Sequence, residues 1–273
     1  MRMCGGIAID TVETIKEFYD SAVEVEWNRI AGRPEFLLTC RFIDRYVKPG
    51  EKVLDIGGGP GRYSLYLAGK GCDVTLFDLS PANVEFAKER AAEQGLELKG
   101  ASGDAREVDS IIGGSFDHIL LMGPMYHLLD ESDRIKAVNA SLKLLKPNGT
   151  IFVSFINLFA GMIYYMKCQP SLQSYPDDRA FFDAFIENKS YAGTAFTQAY
   201  FARQSEILPF MAQFPLAKLH FFGQEGFTSP CESGIMSQSP ETVNLWLDLC
   251  EKTCEREDLL SWSEHLMYIG RKN

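Results

Sequence analysis

Histidine is scarce in this chain: four in 273 residues, at positions 118, 127, 220 and 265. The seven cysteines (Cys4, Cys40, Cys72, Cys168, Cys231, Cys250 and Cys254) are scattered and never spaced as Cys-x-x-Cys. No quartet of zinc ligands can be assembled from these residues, and no metal is expected. An odd set of dispersed cysteines reads as reduced, structural thiols. Positive charge is short as well: 27 Lys and Arg against 37 Asp and Glu leave a net charge of −10. Such a surface has no basic footprint for a phosphate backbone, so no nucleic-acid partner is expected. Long apolar runs are missing too. The longest, 151–165, is interrupted by Ser154, Asn157 and Gly161 and is too short to span a bilayer. With no basic region, apolar run and cleavage site near residue 1, no signal peptide is read and the expected location is cytoplasmic. The chain is nevertheless 46% hydrophobic, enough for one large core or a core with a modest cap.

What is abundant is glycine, and in one place. Val53 to Ile56 read as a short buried strand, and Gly57, Gly58, Gly59 and Gly61 follow before a helical pattern through Tyr63, Leu65 and Leu67. A strand that breaks into a glycine turn and then a helix brings bare backbone and a helix N-terminus up to a ligand. The dinucleotide fingerprint G-x-G-x-x-G would need glycine where Arg62 stands, and no Gly-Lys-Ser/Thr run follows for a P-loop. The pattern that fits is D-x-G-x-G-x-G through Asp55, Gly57, Gly59 and Gly61.

Further elements follow in order. Val74–Asp78 reads as a second strand ending in a carboxylate. After the alternation Leu96-Glu-Leu98 comes Gly100-Ala-Ser-Gly-Asp-Ala105, then a fourth strand Phe116–Met122 leading into Gly123-Pro-Met-Tyr-His-Leu128. Leu144-Leu-Lys-Pro-Asn-Gly149 precedes a fifth strand at Thr150–Ser154. Together these resemble the class I S-adenosylmethionine-dependent methyltransferases, over about residues 50–156. The resemblance implies an α/β fold with a doubly wound, mostly parallel seven-stranded sheet and helical insertions forming a cap. It implies S-adenosyl-L-methionine as cofactor. Asp78 would accept from the ribose hydroxyls, Asp104 would meet the adenine amino group and Ala105 a ring nitrogen. Leu79 and Met122 would complete the binding set with Asp55 and Gly57, Gly59 and Gly61. Asp55 would tie down the turn or meet the methionine amino group through water. Arg62 would reach the methionine carboxylate or pair with Asp78.

Helical patterns are expected at Glu35–Tyr46, Arg62–Gly69, Pro81–Glu93 and Glu131–Leu145, with Ser80 and Asp130 as N-caps. Alternation of strands and helices supports the parallel sheet. Residues 1–34 read as an N-terminal helical cap segment, with an amphipathic stretch over 11–31 that either packs on the core or closes over the cofactor. Residues 35–273 read as the main domain, with lid insertions at 157–197 and 224–264. The first insertion is crowded with aromatics and reads as a second small core, a lid over an apolar pocket, or both. Thr197–Phe214 reads as a helix with Pro209 kinking or ending it, Ala217–Phe222 and Leu266–Gly270 as strands six and seven, and Glu241–Arg256 as a helix.

Methyl transfer is an in-line displacement in which the protein mainly binds, aligns and excludes water. Tyr126 and His127, just past the fourth strand, and Tyr19 in the N-terminal segment are the substrate-facing candidates, with loop-orienting roles as the alternative for the first two. The other histidines read as structural. The expected partner is a small-molecule methyl acceptor, and a homodimer stays open. Met122-Gly-Pro-Met-Tyr126 lacks the N/D-P-P-Y/F motif of nucleic-acid methyltransferases. The alternatives carried forward are a non-catalytic module that binds S-adenosylmethionine or S-adenosylhomocysteine, and a methyltransferase acting on protein or RNA.

Overall fold

The computed structural model describes residues 11–273; the first ten residues of the expected cap segment lie outside the described residues. Two short helices, α1 (Thr11–Ser21) and α2 (Val23–Arg29), and α3 (Pro34–Tyr46) precede the sheet. Alternating units follow: β1 (Lys52–Ile56), α4 (Arg62–Gly69), β2 (Asp73–Asp78), α5 (Pro81–Glu93), β3 (Lys99–Ser102), α6 (Val108–Ile111), β4 (Phe116–Leu121), α7 (Glu131–Leu144) and β5 (Leu145–Asn157). The chain then departs into α8 (Phe159–Cys168), α9 (Arg179–Ile186), β6 (Tyr191–Thr194), β7 (Gln198–Ala202) and α10 (Gln204–Met211). It closes with β8 (Leu216–Gly223), α11 (Glu232–Met236), α12 (Pro240–Thr253) and β9 (His265–Lys272).

Strands β3-β2-β1-β4-β5 are parallel neighbours. β9 lies antiparallel against β5, and β8 antiparallel against β9. These are the seven strands the sequence predicts. The direction of strand order reverses between β1 and β4, and an open α/β sheet leaves its ligand crevice at the carboxyl ends of such a pair.

Alternation along the strands sorts side chains onto two faces. Leu54, Ile56, Ile119, Leu121, Ile151 and Val153 pack on one face with Val108 of α6, Val138 of α7 and Ile207 of α10. Val53, Leu120 and Phe152 turn to the other, under Phe42 of α3, Leu67 of α4 and Cys250 of α12. Ser80 caps α5 as expected, its hydroxyl accepting from the Asn83 amide. Asp130 occupies the N-cap position of α7 but its side chain makes no capping bond.

Three expectations need correction. Thr197–Phe214 is not one helix: its first part is β7, paired with β6 in a hairpin whose far strand aligns Phe201 and Ala202 with Ile156 and Asn157 of β5. The β-branched and aromatic content of 197–201 and the new partner edge outweigh the helical spacing. The hairpin adds two strands to the seven. The third strand begins at Lys99, after Leu96 and Leu98, which pack beside α5 instead. The stretch 11–31 is broken at Ala22 into α1 and α2 rather than continuous. The aromatics of 157–197 build a small core of their own, in which Tyr165, Phe181 and Phe182 pack with Phe201.

Candidate active site

A cavity of about 510 Å³ opens at the carboxyl ends of β1, β2 and β4 and is roofed by α1 and α2. Asp55, Gly57, Gly59, Asp78, Leu79, Asp104, Ala105, Met122, Tyr126, His127 and Tyr19 all line it. The sequence-predicted residues are thus brought together, with one exception. Gly61 is not part of the lining; a Cβ there would meet the Ala87 Cβ at 2.7 Å, so its smallness serves the approach of α4 to α5.

The glycine turn is shaped from both sides. Gly57 has φ +73°, and a Cβ on it would lie 2.4 Å from Pro124 Cδ. Gly59 has φ +55° with open space where a Cβ would be, so its bare backbone faces the cavity. Its amide donates to Asp78 Oδ2 (2.8 Å), while Asp78 Oδ1 accepts from the Ser80 amide (2.9 Å) and Asn83 Nδ2 (3.1 Å). Burial pushes the Asp78 carboxyl up, against these hydrogen bonds. Beneath the turn, Asp55 Oδ2 accepts from Ser64 Oγ (2.7 Å) and Oδ1 is buried with no partner. Burial, with the neighbouring Asp78 charge adding to it and the Ser64 bond opposing, raises Asp55 to about 7. Asp104 is gripped by Arg106, whose Nε lies 3.0 Å from both carboxylate oxygens and whose Nη1 also reaches Asp133 at 2.5 Å.

Arg62 lines the cavity and is not paired with Asp78. Its guanidinium stacks 3.3 Å from the Trp27 ring centroid and its Nε donates to the Trp27 carbonyl (2.7 Å), joining α4 to α2 at the cavity rim.

At the other end the three substrate-facing candidates adjoin one another. Tyr19 Oη lies 2.7 Å from His127 Nε2, and His127 Nδ1 lies 3.0 Å from the Gln198 carbonyl oxygen. A carbonyl can only accept, so Nδ1 carries the proton and Nε2 accepts from the tyrosine hydroxyl. Burial drives His127 down to about 4, opposed only by the Gln198 carbonyl, so the ring is neutral at pH 7. Burial raises both tyrosines: Tyr19 lies well above its ordinary range and Tyr126 is pushed up too. The Tyr126 hydroxyl makes a long bond to the Met122 carbonyl (3.4 Å).

Sequence reasoning missed the floor beside these rings. Glu26, Arg29, Glu35, Ser154 and Gln224 line the cavity. Arg29 donates to Glu26 (2.8 Å) and Glu35 (3.3 Å). Behind them His265 Nδ1 meets Glu225 Oε1 at 2.7 Å and lies 4.0 Å from Glu35 Oε2. Burial disfavours the His265 charge, but Glu35 and Glu225 overcome it and hold the imidazolium up to about 9. Burial likewise works against the Glu35 carboxylate, and His265 and Arg29 keep its pKa lowered. The two carboxylates and His265 cluster closely, with ligand atoms within 4.8 Å of one another, yet both carboxylates already have cations in Arg29 and His265. Pro34 marks only the start of α3; the floor itself is tertiary. Of the other histidines, His118 bonds Glu51 (2.9 Å) and Thr150, and His220 bonds Tyr46 (2.7 Å) and Glu255 (2.9 Å).

A parallel α/β sheet whose glycine turn, two strand-end acids and switch-point cavity converge in this way has the architecture of the class I methyltransferases. The family described as a methyltransferase domain matches residues 53–149. Among curated relatives, a ubiquinone biosynthesis O-methyltransferase of Xanthomonas campestris pv. campestris is 33% identical over 113 residues, 41% of this chain and 46% of the relative. The chain therefore spans about half the length of that relative. Magnesium protoporphyrin IX methyltransferase from Synechocystis, solved with bound SAH, superposes with a TM-score of 0.58 at 14% identity, covering 97% of this chain and 100% of that one. The N-methyltransferase NodS of Bradyrhizobium japonicum gives 0.54 at 14%, covering 93% and 98%. At such identities these structures share the fold. Among the described residues no helix is long and apolar enough to cross a membrane.

Proposed function

We propose that this chain is an S-adenosylmethionine-dependent methyltransferase that acts on a small-molecule acceptor. The observation that carries the reading is the cavity at the β1–β4 switch point, where bare glycine backbone and three acids meet. The residues fit the cofactor. Asp55 Oδ1 is a buried acceptor without a partner in the cavity lining, suited to a positive amino group. Asp78 keeps one free lone-pair site, on Oδ2, for a ribose hydroxyl beyond its three protein bonds, and Asp104 stands at the next strand end for the base, with Ala105, Leu79 and Met122 flanking. When bound, that cofactor supplies an electrophilic methyl group on sulfur. The chain's own part is to bind, orient and exclude water: α1 and α2 roof the cavity, with Arg62 on Trp27 fastening the rim.

The acceptor then lies toward Tyr19, Tyr126 and His127. The named activity of the Xanthomonas relative and the modest cavity volume both support a small acceptor. We assign residues 11–34 to a cap over this space, and the 157–197 and 224–264 segments to buttresses that contribute a few contacts to it, such as Phe196 against His127 and Gln224 in the lining. Calorimetry with S-adenosylmethionine, followed by detection of S-adenosylhomocysteine when candidate acceptors are added, tests the reading. Absence of cofactor binding would overturn it, and binding without product from any acceptor would favour a sensor module.

A further inference from the structure

We infer that Tyr19 is the catalytic group that contacts the acceptor, that His127 takes up its proton through Tyr19, and that the acceptor atom is therefore a hydroxyl oxygen. The inference rests on the methyltransferase reading for its chemistry and on the hydrogen-bond chain Gln198 carbonyl–His127–Tyr19 for its geometry. Fixed by the carbonyl at Nδ1, His127 can present only a lone pair at Nε2. That lone pair is 2.7 Å from Tyr19 Oη, which lines the cavity, so the tyrosine hydroxyl donates inward to His127 and turns its own lone pairs toward the cavity. The exposed end of the relay is thus an acceptor of hydrogen bonds, which an O–H or N–H can meet.

The chemistry selects between the two. Transfer to a hydroxyl forms a C–O bond from an oxygen lone pair, and the former methyl–sulfur pair stays on sulfur. The oxygen, becoming trivalent, turns strongly acidic and must lose its proton. That proton passes to Tyr19 Oη while the tyrosine's own proton passes to His127 Nε2, and the imidazolium so formed returns it to solvent. A weak base suffices, because proton transfer follows the fall in acceptor pKa during the reaction. Burial gives His127 that weak basicity, with a pKa of about 4. An amine gains nothing from such a relay: as a free base it needs no proton removed to react, and as an ammonium it is too weak an acid to give a proton to this imidazole. The groups packed on His127 are the rings of Tyr19, Tyr126 and Phe196, all uncharged at pH 7. The charges that act on the two tyrosines are Glu26, Asp78 and Arg29 on both and Glu35 on Tyr126, with Arg29 opposing the carboxylates.

The test uses the full chain with 15N-labelled histidine. A long-range proton–nitrogen spectrum of the free protein should show His127 neutral and protonated at Nδ1 from about pH 5.5 to 8, above its lowered pKa. Tyr19→Phe should shift its Nε2 resonance while the other three histidines stay put. An Nε2–H tautomer, or no response to Tyr19→Phe, overturns the relay. In the S-adenosylhomocysteine complex, catechol, whose hydroxyls stay protonated at pH 7, should move the Nε2 resonance in the wild type and not in Tyr19→Phe. Turnover of catechol should fall about 100-fold in Tyr19→Phe, a typical loss for one proton-transfer group, with unchanged cofactor Kd. Methylation of benzylamine at a rate indifferent to Tyr19→Phe overturns the hydroxyl assignment. If calorimetry shows no cofactor binding by the wild type, the methyltransferase reading fails while the relay is still judged on the free-protein spectrum.

Discussion

The proposed cofactor side and the proposed acceptor side of the cavity are built at different ranges along the chain. On the cofactor side, the hydrogen bonds that set the acids run from Gly59 to Asp78, from Ser64 to Asp55 and from Arg106 to Asp104, spanning nineteen, nine and two positions. Each is a strand end answering the next turn. On the acceptor side, Tyr19 meets His127 across 108 positions and His127 meets Gln198 across 71. Local turn chemistry makes the first side and tertiary docking makes the second. The first is consequently rigid by backbone constraint, and the second depends on two helices and a hairpin staying in place.

The sharpest way to break the first side is Gly57→Val. The left-handed backbone and the 2.4 Å approach to Pro124 should cost about 2–4 kcal/mol of stability in urea titrations and abolish cofactor binding. Retained affinity would show that the turn is more plastic than its geometry. On the second side, Glu225→Gln strips the buried partner of His265 and should cost about 2 kcal/mol at pH 6. Because the folded pKa of His265 is raised to about 9 from an unfolded value near 6.5, its contribution is complete below pH 6.5 and is lost as pH rises through 9. Melting temperatures should therefore fall over that window in the wild type and fall less in Glu225→Gln. Asp78→Ala should weaken S-adenosylmethionine binding by about 1–3 kcal/mol, since it removes a charged acceptor and loosens the Gly59 amide at once; unchanged affinity by calorimetry would sink the ribose assignment. Smallest of all, Arg62→Ala should lower stability by about 1 kcal/mol through the lost stacking on Trp27 with little direct effect on cofactor affinity. A hundredfold loss of affinity would restore the carboxylate contact that the sequence suggested.

The same division explains what could be read in advance. Glycine spacing and the acids at 55, 78 and 104 are legible because turn geometry and strand ends demand particular residue types within a few positions. The seven sheet strands follow from alternation and from the caps at Ser80. The stacking of Arg62 on Trp27 left no local trace, because the two stand 35 positions apart. Gln198 had no signal at all: it contributes a main-chain carbonyl, which any residue could offer, and its strand was hidden inside a helical pattern. Arg29, Glu35, Glu225 and His265 are ordinary surface-type residues in the sequence. Only docking of β9 and the segment after β8 against the end of α2 and the start of α3 brings them together, with Glu225 buried and Arg29 at the edge.

Gly61 and Ala87 carry one more consequence. The helices that begin after the glycine turn and after Ser80 touch through these two small residues, and an added methyl at the first would press on the second at 2.7 Å. A larger side chain at position 87 would push back through the start of α4 onto the turn itself. The curvature of the loop that faces the ligand is thereby gauged from behind, by an alanine some thirty positions away in the chain that lines no part of the cavity. Variation at the two positions should be reciprocal, one able to grow only if the other stays small and the helices move apart.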